Sequence, residues 1–478
     1  MITAFIVAYF VVLAALFAYG VNGYVLMLWS RRAQEPTPGP REHWPHVCVQ
    51  IPIYNERDVV ARVIHAAGAL RYRGRLDIQV LDDSTDDTPM FVRNAIADLA
   101  GDNITIDHVR RRNREGFKAG ALAHGMTLTE AELFLILDAD FVPQPDMLER
   151  MVPLLDGDDI ACVQSRWGHI NRDHSAFTRA QALGIDVHFF IEQPARAAAS
   201  WSVSFNGTGG LWRRAALEDG GGWSADTLTE DLDLSYRVWL RGWTIRYTEH
   251  TVCPAEIPET MLPFKAQQRR WACGSTATAR KLLGPIWRAP VSLGAKLQAT
   301  LHLTHYAVHP LILLSAVSAI PLGLLASPGA SLWTVLPPLA MATGGPVGMA
   351  WLAGKRAGIP WRQRLRDVGS IMLLGTGVAL SNSVAVFQGL RSRRRAFVRT
   401  PKGGAASSYR VADDRLGSAE LGFAVGCLAI AGWLAERGIF TMVPFLLLYA
   451  AGLGRVGLAS LWETRQNRTE VVPVVEEA

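Results

Sequence analysis

Residues 133–140 read Leu-Phe-Leu-Ile-Leu-Asp-Ala-Asp, five apolar side chains that run directly into two carboxylates. Similar short runs rich in Val and Ile lie before and after this stretch, and helical patterns separate them. This alternation indicates βαβ units and a mostly parallel sheet, hence an α/β domain. Because ligands of such sheets lie beyond the carboxyl ends of the strands, we expect the chemistry at the acidic strand ends. The predicted strands are Val47–Tyr54, Asp77–Asp82, Ile104–Val109, Leu133–Asp138 and Ile160–Gln164, and the predicted helices include Arg57–Leu70 and Lys118–Met126.

The composition shows that this domain is only part of the molecule. Of the 478 residues, 49% are hydrophobic and 19% are charged, and the charged share is below the ~25% usual in soluble domains. Asp, Glu, Lys and Arg are absent before Arg31 and again between Lys296 and Lys355. Such stretches are long enough to cross a bilayer, at about 20 residues per helix. The sequence therefore excludes a wholly soluble protein.

The formal charge of +5 does not point to nucleic acid. Many of the cations sit at the ends of apolar segments, as Arg31 and Arg32 do, which is the pattern of loops that stay cytoplasmic. We therefore expect no nucleic-acid partner. The five cysteines are odd in number and lack CxxC spacing, so neither a disulfide framework nor a zinc site is predicted, and a reducing compartment fits.

The apolar segments predict a multi-pass layout with five crossings. The later apolar stretches are His302–Ala326, Leu332–Ala353, Val368–Leu390, Leu421–Ala435 and Ile439–Trp462. Since the cationic loop at 391–417 has to remain cytoplasmic, Val368–Leu390 is expected to lie in the interface or fold back. The stretch Arg280–Lys296 mixes cations with apolar residues and is typical of an amphipathic interfacial helix. The predicted units are a transmembrane helix in 1–32, a cytosolic domain in 33–275, an interfacial helix in 276–300, two transmembrane helices in 301–354, an interfacial helix and loop in 355–417, two transmembrane helices in 418–465 and a cytosolic tail in 466–478.

Three acidic motifs are candidates for chemistry. Asp82-Asp83 closes one strand and is either a solvated turn or a ligand site. Asp138-Ala139-Asp140 closes another, and strand alternation places both carboxylates on one face, where they can hold Mg²⁺ or Mn²⁺ against phosphate oxygens. Thr229-Glu230-Asp231 is either a helix N-cap with an acidic first turn or the source of a general base for a hydroxyl group.

A fourth motif, Gln267-Gln268-Arg269-Arg270-Trp271, precedes the membrane segments. It is either a basic and aromatic belt at the membrane surface or a binding element. In the second interpretation Arg270 makes a charge-assisted contact to phosphate. Trp271 then offers a flat face to a sugar ring.

In order and rough spacing, these four motifs resemble those of the membrane-integrated family 2 glycosyltransferases, which include cellulose, chitin and hyaluronan synthases. The strings at 114–122 (Arg-Glu-Gly-Phe-Lys-Ala-Gly-Ala-Leu) and 205–210 (Phe-Asn-Gly-Thr-Gly-Gly) are most similar to the cellulose-synthase-like glucomannan/mannan synthases and their bacterial relatives. The resemblance covers about residues 45–405. The loop 397–402 resembles the gating loop of cellulose synthases, although Arg399 replaces a Val and Pro401 takes the variable position. The alternative for this loop is a cationic membrane-surface segment.

The resemblance implies a cytosolic GT-A (Rossmann-like) domain joined to an α-helical transmembrane domain with interfacial helices. It implies Asp231 as the general base and Asp138 and Asp140 as the metal ligands, with Mg²⁺ or Mn²⁺ as cofactor. The implied substrate-binding residues are Tyr54, Asp82, Asp83, Lys118, Asp138, Asn206, Gly207, Glu230, Gln267, Arg270, Trp271, Thr400 and Lys402.

The implied activity is that of an inverting, metal-dependent processive hexosyltransferase. It would transfer a hexose from UDP-glucose or GDP-mannose to a growing β-linked glycan and translocate that glycan across the membrane. The alternative is transfer of one sugar to a membrane lipid acceptor. A sensor or transporter that binds nucleotide without catalysis is disfavoured because every acidic motif is intact. The expected location is the bacterial inner (plasma) membrane, with the catalytic domain cytoplasmic and lipids as neighbours.

Overall fold

A computed structural model describes residues 2–40, 42–99, 105–325, 332–391 and 416–469. Within these residues, seven strands form one sheet. The strands are β1 (Val47–Ile53), β2 (Leu76–Asp82), β3 (Thr105–Arg110), β4 (Leu133–Ile136), β5 (Ile160–His169), β6 (Gly210–Arg213) and β7 (Thr244–Ala255).

The helices of the globular part alternate with these strands. They are α2 (Val60–Gly68), α3 (Thr88–Asp98), α4 (Phe117–Met126), α5 (Met147–Met151), α6 (Ala176–Val187), α7 (Gln193–Ala198), α8 (Arg214–Asp219) and α9 (Glu230–Leu240), and α1 (Ile2–Ser30) precedes them. The helices that follow β7 are α10 (Met261–Arg288), α11 (Leu293–Leu303), α12 (Val308–Leu325), α13 (Leu332–Arg356), α14 (Trp361–Gly377), α15 (Ala379–Leu390), α16 (Gly417–Glu436) and α17 (Val443–Thr469). A π-helical turn, His188–Glu192, joins α6 to α7, and 3₁₀ turns cover Val152–Leu155, Arg172–His174 and His305–Ala307.

The strand order is β3-β2-β1-β4-β6-β5-β7. Strands β1 to β4 pair in parallel, β5 and β7 are parallel to each other, and β6 runs antiparallel to both of its neighbours. The predicted mostly parallel sheet is therefore confirmed, with β6 as a reversed strand that the alternation pattern did not predict. Because β6 is reversed, the turn that leads into it reaches the same sheet edge as the carboxyl ends of β1, β2 and β4.

The strand sequences are continuously apolar, rather than alternating between apolar and polar residues, because both faces of the sheet are covered. Along β1, Val49 and Ile51 belong to a core on one face, while Cys48 packs with Phe134 of β4 in a core on the other face. All of these side chains are fully buried. This is the arrangement expected of strands that lie between two helical layers.

Several helices have the length and apolar character of membrane spans. Three stand alone, Val7–Ser30, Gly417–Glu436 and Val443–Asn467, and two bent pairs, Leu293–Leu303 with His305–Pro321 and Trp361–Gly377 with Ala379–Leu390, also qualify if each is one span. The second pair is bent by 50° and contains the segment predicted to lie in the interface or fold back. The five-crossing layout remains a prediction.

The predicted interfacial helix Arg280–Lys296 has the wrong bounds. Its residues are divided between the end of α10 and the start of α11. Pro290 accounts for the break, because proline lacks an N–H and forces the residue before it out of the helical conformation. Ala289 is accordingly extended, with ψ at 149°. The predicted unit boundary at residue 276 falls inside the continuous helix α10.

Helix α10 is fixed to the last two membrane-type helices by buried charges. Both carboxylate oxygens of Glu463 on α17 accept hydrogen bonds from the first backbone N–H groups of α10, at 2.6 Å from Met261 and 2.8 Å from Leu262. One turn later, Lys265 pairs with Glu420 of α16 at 2.8 Å and donates to Ser460 of α17 at 3.2 Å. Lys265 and Glu420 are buried to 2% and 0% exposure of their side chains.

Replacing Lys265 by Met is expected to destabilise the folded protein strongly, because the buried Glu420 carboxylate then loses the ammonium group with which it pairs. Removing one partner of a buried ion pair typically costs about 3–5 kcal/mol. The melting temperature in detergent should fall for K265M and recover in the double variant K265M/E420L, which removes both charges. The exposed pair of Arg150 with Asp146 is the control, since R150A should cost at most about 1 kcal/mol. Equal melting temperatures for K265M and the wild type would contradict this.

Candidate active site

A cleft of about 160 Å³ opens at the sheet edge where the parallel strands end. We call it the strand-end cleft. Tyr54 follows β1, Asp83 follows β2, and Asp138 and Asp140 follow β4, so four strand-end residues line it together. The position agrees with the general rule that ligands of open α/β sheets bind outside the carboxyl ends of the strands.

Lys118, the second residue of α4, links the acidic residues of the cleft. Its Nζ donates to Asp138 Oδ1 at 2.5 Å and to the carbonyl of Gly207 at 2.8 Å, and it lies 3.8 Å from Glu230 Oε1. Burial disfavours the ammonium, but Asp138 and Glu230 outweigh it and raise the pKa of Lys118. The lysine is therefore a fixed positive charge inside the cleft.

The two aspartates that close β2 have different environments. Asp83 lines the cleft and accepts two hydrogen bonds from Arg111, one of them from Nε at 2.9 Å. Asp82 is only 1% exposed and accepts hydrogen bonds from the backbone N–H of Ser84 and from His108 Nε2, both at 2.8 Å. Burial raises the pKa of Asp82, but these hydrogen bonds outweigh it and lower the pKa. Asp82 is thus an ionised anchor beneath the cleft rather than part of its lining.

Asp231 lies in the first turn of α9, facing the glycine turn before β6. Its Oδ1 accepts from the backbone N–H of Leu232 at 2.7 Å. Gly207 has a φ of +86°, and a Cβ there would stand 3.0 Å from Asp231 Oδ2. Burial and the neighbouring Glu230 carboxylate, opposed by Lys118, raise the pKa of Asp231 to about 7. A carboxyl group with this pKa can accept a proton near neutral pH.

Gln267, Arg270 and Trp271 line the cleft from one face of α10, since residues three and four apart share a helix face. Burial lowers the pKa of the Arg270 guanidinium, while Asp138, Glu230 and other carboxylates of the cleft act in the opposite direction. Arg270 therefore adds a half-buried cation from helix α10 to the cleft.

A second cavity of about 430 Å³ continues from the cleft towards helices α10, α12 and α14. We call it the membrane-side chamber. The two cavities share residues that include Asn206, Asp231, Gln267 and Trp271. The described residues that line the chamber include four histidines and several aromatic rings, with Glu192 and Asp231 as carboxylates and no Lys or Arg. The chamber is thus aromatic, polar and free of fixed cations within the described part of the chain.

The structure brings together most of the predicted site residues. Those that line the strand-end cleft are Tyr54, Asp83, Lys118, Asp138, Asp140, Asn206, Gly207, Glu230, Asp231, Gln267, Arg270 and Trp271. Asp82 is excluded from it by its bonds to His108 and Ser84. Thr400 and Lys402, with the loop 397–402, lie outside the described residues.

Among the residues of the site that were not predicted from the sequence as contributors, four make specific contacts. Arg111 holds Asp83, and the Arg114 guanidinium lies 3.3 Å from the centre of the Tyr54 ring. His188 and Glu192 line the chamber and are bonded to each other. The cationic run 110–114 and the spacing of four between His188 and Glu192 were the available signals, but neither distinguishes a site from a solvated helix face.

Residues 45–274 match the model of the family described as "Glycosyltransferase like family 2". Among curated proteins, the chain is 42% identical over 252 residues to glucomannan 4-beta-mannosyltransferase 2 of Arabidopsis thaliana, covering 52% of this chain and 47% of the relative. It is 41% identical over 251 residues to glucomannan 4-beta-mannosyltransferase 1 of Oryza sativa subsp. japonica, covering 51% and 48%. The chain thus spans about half the length of these relatives. The predicted family resemblance is confirmed.

A solved structure has a similar fold. It is a mannosyltransferase from Pyrobaculum calidifontis in complex with GDP-Man and Mn²⁺, with a TM-score of 0.54 and 22% identity, covering 78% of this chain and 99% of that one. The likeness confirms the predicted GT-A-like α/β fold.

Replacing Gly207 by Ala is expected to slow glycosyl transfer by on the order of tenfold or more, because the new Cβ would displace the Asp231 carboxylate. Gly222 provides a matched control, since its φ is +71° but nothing lies within 4 Å of an added Cβ. Both variants carry the backbone penalty of a positive φ, about 1–2 kcal/mol. Both variants should keep the nucleotide affinity of the wild type, but only G207A should lower the turnover rate. Equal turnover rates for the two variants would contradict the assigned contact.

Proposed function

We propose that this chain, whose residues 45–274 are a glycosyltransferase family 2 domain, transfers a hexose from a nucleotide sugar to a β-linked glycan acceptor. The observation that carries the proposal is that the strand-end cleft and the membrane-side chamber meet at Asp231. One cavity has the charges that a sugar diphosphate requires. The other has the aromatic and uncharged polar lining that a neutral sugar requires.

The strand-end cleft suits a nucleotide diphosphate because cations face it from several sides. Lys118 and Arg270 are positioned to contact phosphate oxygens, as charge-assisted donors do. The Arg114 guanidinium and the Tyr54 ring offer planar surfaces to a base, and Asp83, held by Arg111, offers an acceptor to the nucleoside. Asp82 supports this edge from below through His108.

The two carboxylates at 138 and 140 fit a hard divalent cation. Among the described residues, no three His, Cys, Asp or Glu side chains are grouped so that they could hold a metal by themselves. Asp138 and Asp140 are oxygen donors at the diphosphate end of the cleft, and Mg²⁺ or Mn²⁺ bound by one or two carboxylates completes its shell with water and substrate phosphates. When bound, such a cation would neutralise the developing charge of the departing diphosphate.

Asp231 is proposed as the general base. Its carboxylate lies where the two cavities join, so an acceptor hydroxyl that enters from the chamber would meet it before reaching the donor sugar. The base removes the hydroxyl proton as the oxygen attacks the anomeric carbon from the side opposite the diphosphate. Such in-line displacement inverts the configuration and converts an α-linked donor into a β-linked product. Glu230, Gln267 and Trp271 would position the sugar around this point.

The chamber favours a glycan over a phosphate-bearing lipid as the acceptor. A lipid phosphate entering it would meet Glu192 and Asp231 and, among the described lining residues, neither Lys nor Arg. A neutral oligosaccharide would instead pack against its rings, such as Trp271 and Tyr306. We therefore propose glycan elongation, with the membrane helices as the path along which a processive enzyme translocates its product from the cytoplasmic side.

GDP-mannose is the proposed donor. The curated relatives that are 40–42% identical to this chain carry names that specify mannosyl transfer, and the similar solved structure contains GDP-Man and Mn²⁺. UDP-glucose is the second donor to be tested, since the family resemblance of the sequence left both donors open.

A donor screen tests the proposed function. Purified protein in nanodiscs should form a labelled polymer from GDP-mannose, and treatment with EDTA should stop the reaction until Mg²⁺ or Mn²⁺ is restored. Product sizing separates the candidate activities, because a product confined to a mono-glycosylated lipid would reject elongation. Full activity in EDTA would contradict the metal role of Asp138 and Asp140.

The pH dependence of turnover should report the ionisation of Asp231. Because a base acts in its deprotonated form and this pKa is raised to about 7, turnover should fall about tenfold for each pH unit below 7 and level off above it. D231N should lower turnover by about 10²–10⁴-fold while nucleotide affinity persists. D226N, which removes an exposed carboxylate outside both cavities, is the control and should keep the wild-type profile. A wild-type rate in D231N would exclude this residue as the base.

A further inference from the structure

The π-helical turn His188–Glu192 shapes one wall of the membrane-side chamber. Pro194 follows it and has no N–H to donate to the carbonyl of Phe190, so a regular helix cannot continue here. The Gln193 N–H instead bonds the carbonyl of His188, one residue further back than in an α-helix, and Phe190 O accepts from Arg356. Such π-bulges are frequent at functional sites. His188 and Glu192, at the two ends of the turn, both line the chamber.

The orientation of the next side chain, Gln193, is fixed by a backbone group. The N–H of Ser204 can only donate, and it lies 3.1 Å from Gln193 Oε1. The carbonyl of Ser204 can only accept, and Gln193 Nε2 lies 2.6 Å from it. The second hydrogen of this amide nitrogen therefore points to Asn206 Oδ1, at 2.9 Å.

The donor-to-acceptor direction that is set at Gln193 continues through the side chains of Asn206 and His188 to Glu192. Since Asn206 Oδ1 accepts, its Nδ2 is the atom that donates to His188 Nε2, at 3.0 Å. A ring nitrogen that accepts carries no hydrogen, so His188 is neutral and holds its proton on Nδ1. That N–H donates to Glu192 Oε2 at 2.9 Å. The Glu192 carboxylate is thus an acceptor whose position is set by the backbone of Ser204, three side chains away.

Glu192 is ionised and accessible from the chamber. Burial alone would raise the pKa of its carboxyl group, but the hydrogen bond from His188 and the nearby Arg196 guanidinium lower the pKa. About a quarter of the side chain, 26%, is exposed. Within the described residues the second oxygen, Oε1, accepts no hydrogen bond. An ionised carboxylate can only accept, so its partner in the chamber has to be a donor.

Sugar hydroxyls are the donors that the rest of the chamber fits. The rings of His305 and Tyr306 lie with their centres 4.1 Å apart, and both line the chamber with Trp271. A sugar offers an apolar ring face to such surfaces and hydroxyl groups at its rim. An anionic group would be repelled by Glu192, whereas the hydroxyl groups of a neutral sugar can donate to it while the sugar ring packs against the aromatic faces.

We propose that Glu192, held by His188, Asn206 and Gln193, is an acceptor-binding residue that accepts hydrogen bonds from neighbouring hydroxyls of a neutral sugar in the membrane-side chamber. The inference rests on the proposed glycan elongation and adds a specificity-determining residue to it. Glu192 would contact the acceptor alone, so its replacement should leave the binding and the hydrolysis of the donor unchanged.

The test measures the extension of a β-linked manno-oligosaccharide by E192Q and by the wild type. E192Q keeps the shape of the side chain and removes its charge, so the KM for the oligosaccharide should rise about tenfold, as expected when a charge-assisted bond becomes a neutral one. The KM for the donor, and hydrolysis of the donor by water, should stay within about twofold. E249Q, which neutralises a half-buried glutamate outside both cavities, is the matched control and should leave all these constants unchanged.

A series of acceptors that each lack one hydroxyl provides a second arm, in which the wild type is compared with E192Q. At least one deletion should raise the wild-type KM about tenfold and have little effect on E192Q. An unchanged oligosaccharide KM in folded E192Q, or a wild type indifferent to every deletion, overturns the inference while leaving glycan elongation intact. If the wild type extends no oligosaccharide with either donor, the proposed function fails and this inference fails with it.

Discussion

The ammonium group of Lys118 is the contact on which the arrangement of the cleft depends. It binds the Asp138 carboxylate that follows β4, the carbonyl of Gly207 in the turn before β6, and lies close to Glu230 at the start of α9. These three elements come from distant parts of the chain, and the ammonium offsets the carboxylate charge or carbonyl dipole that each brings to the same place. Together with the Arg270 guanidinium, this cation allows the Asp138 and Glu230 carboxylates and the raised-pKa Asp231 to coexist within one cavity.

The sequence predicted the parallel half of the sheet because strands covered on both faces are continuously apolar, as Val47–Ile53 is. It also predicted the position of the cleft, since residues that follow neighbouring parallel strands must meet at one edge, while most of the cleft residues, such as Lys118 and Gly207, followed from the family resemblance. It did not predict β6, a four-residue strand whose reversed direction is set by its neighbours rather than by its own pattern. Asp82 and Asp83 are equivalent in sequence, and only the positions of His108 and Arg111 make one an anchor and the other a cleft residue.

The sequence did not predict the chamber, and the reason is different. Its walls come from α6, α10, α12, α14 and the π-turn, which pack together only in the folded molecule. His188 and Glu192 are four apart, as any exposed helical pair can be, and their meaning depends on Gln193 and Asn206. A directed chain of hydrogen bonds is a property of three-dimensional geometry, and no residue spacing encodes it.

The attachment of α10 has a practical consequence for preparing a soluble catalytic fragment. The family-like segment ends at residue 274, in the middle of a helix whose first amides are capped by Glu463 and whose Lys265 is neutralised by Glu420. A truncation there would remove the Glu463 cap from the start of the helix and the Glu420 partner from Lys265. Both changes lie close to Gln267, Arg270 and Trp271. Such a fragment would lose these contacts, so reconstitution of the whole chain in lipid is the suitable starting point for biochemistry.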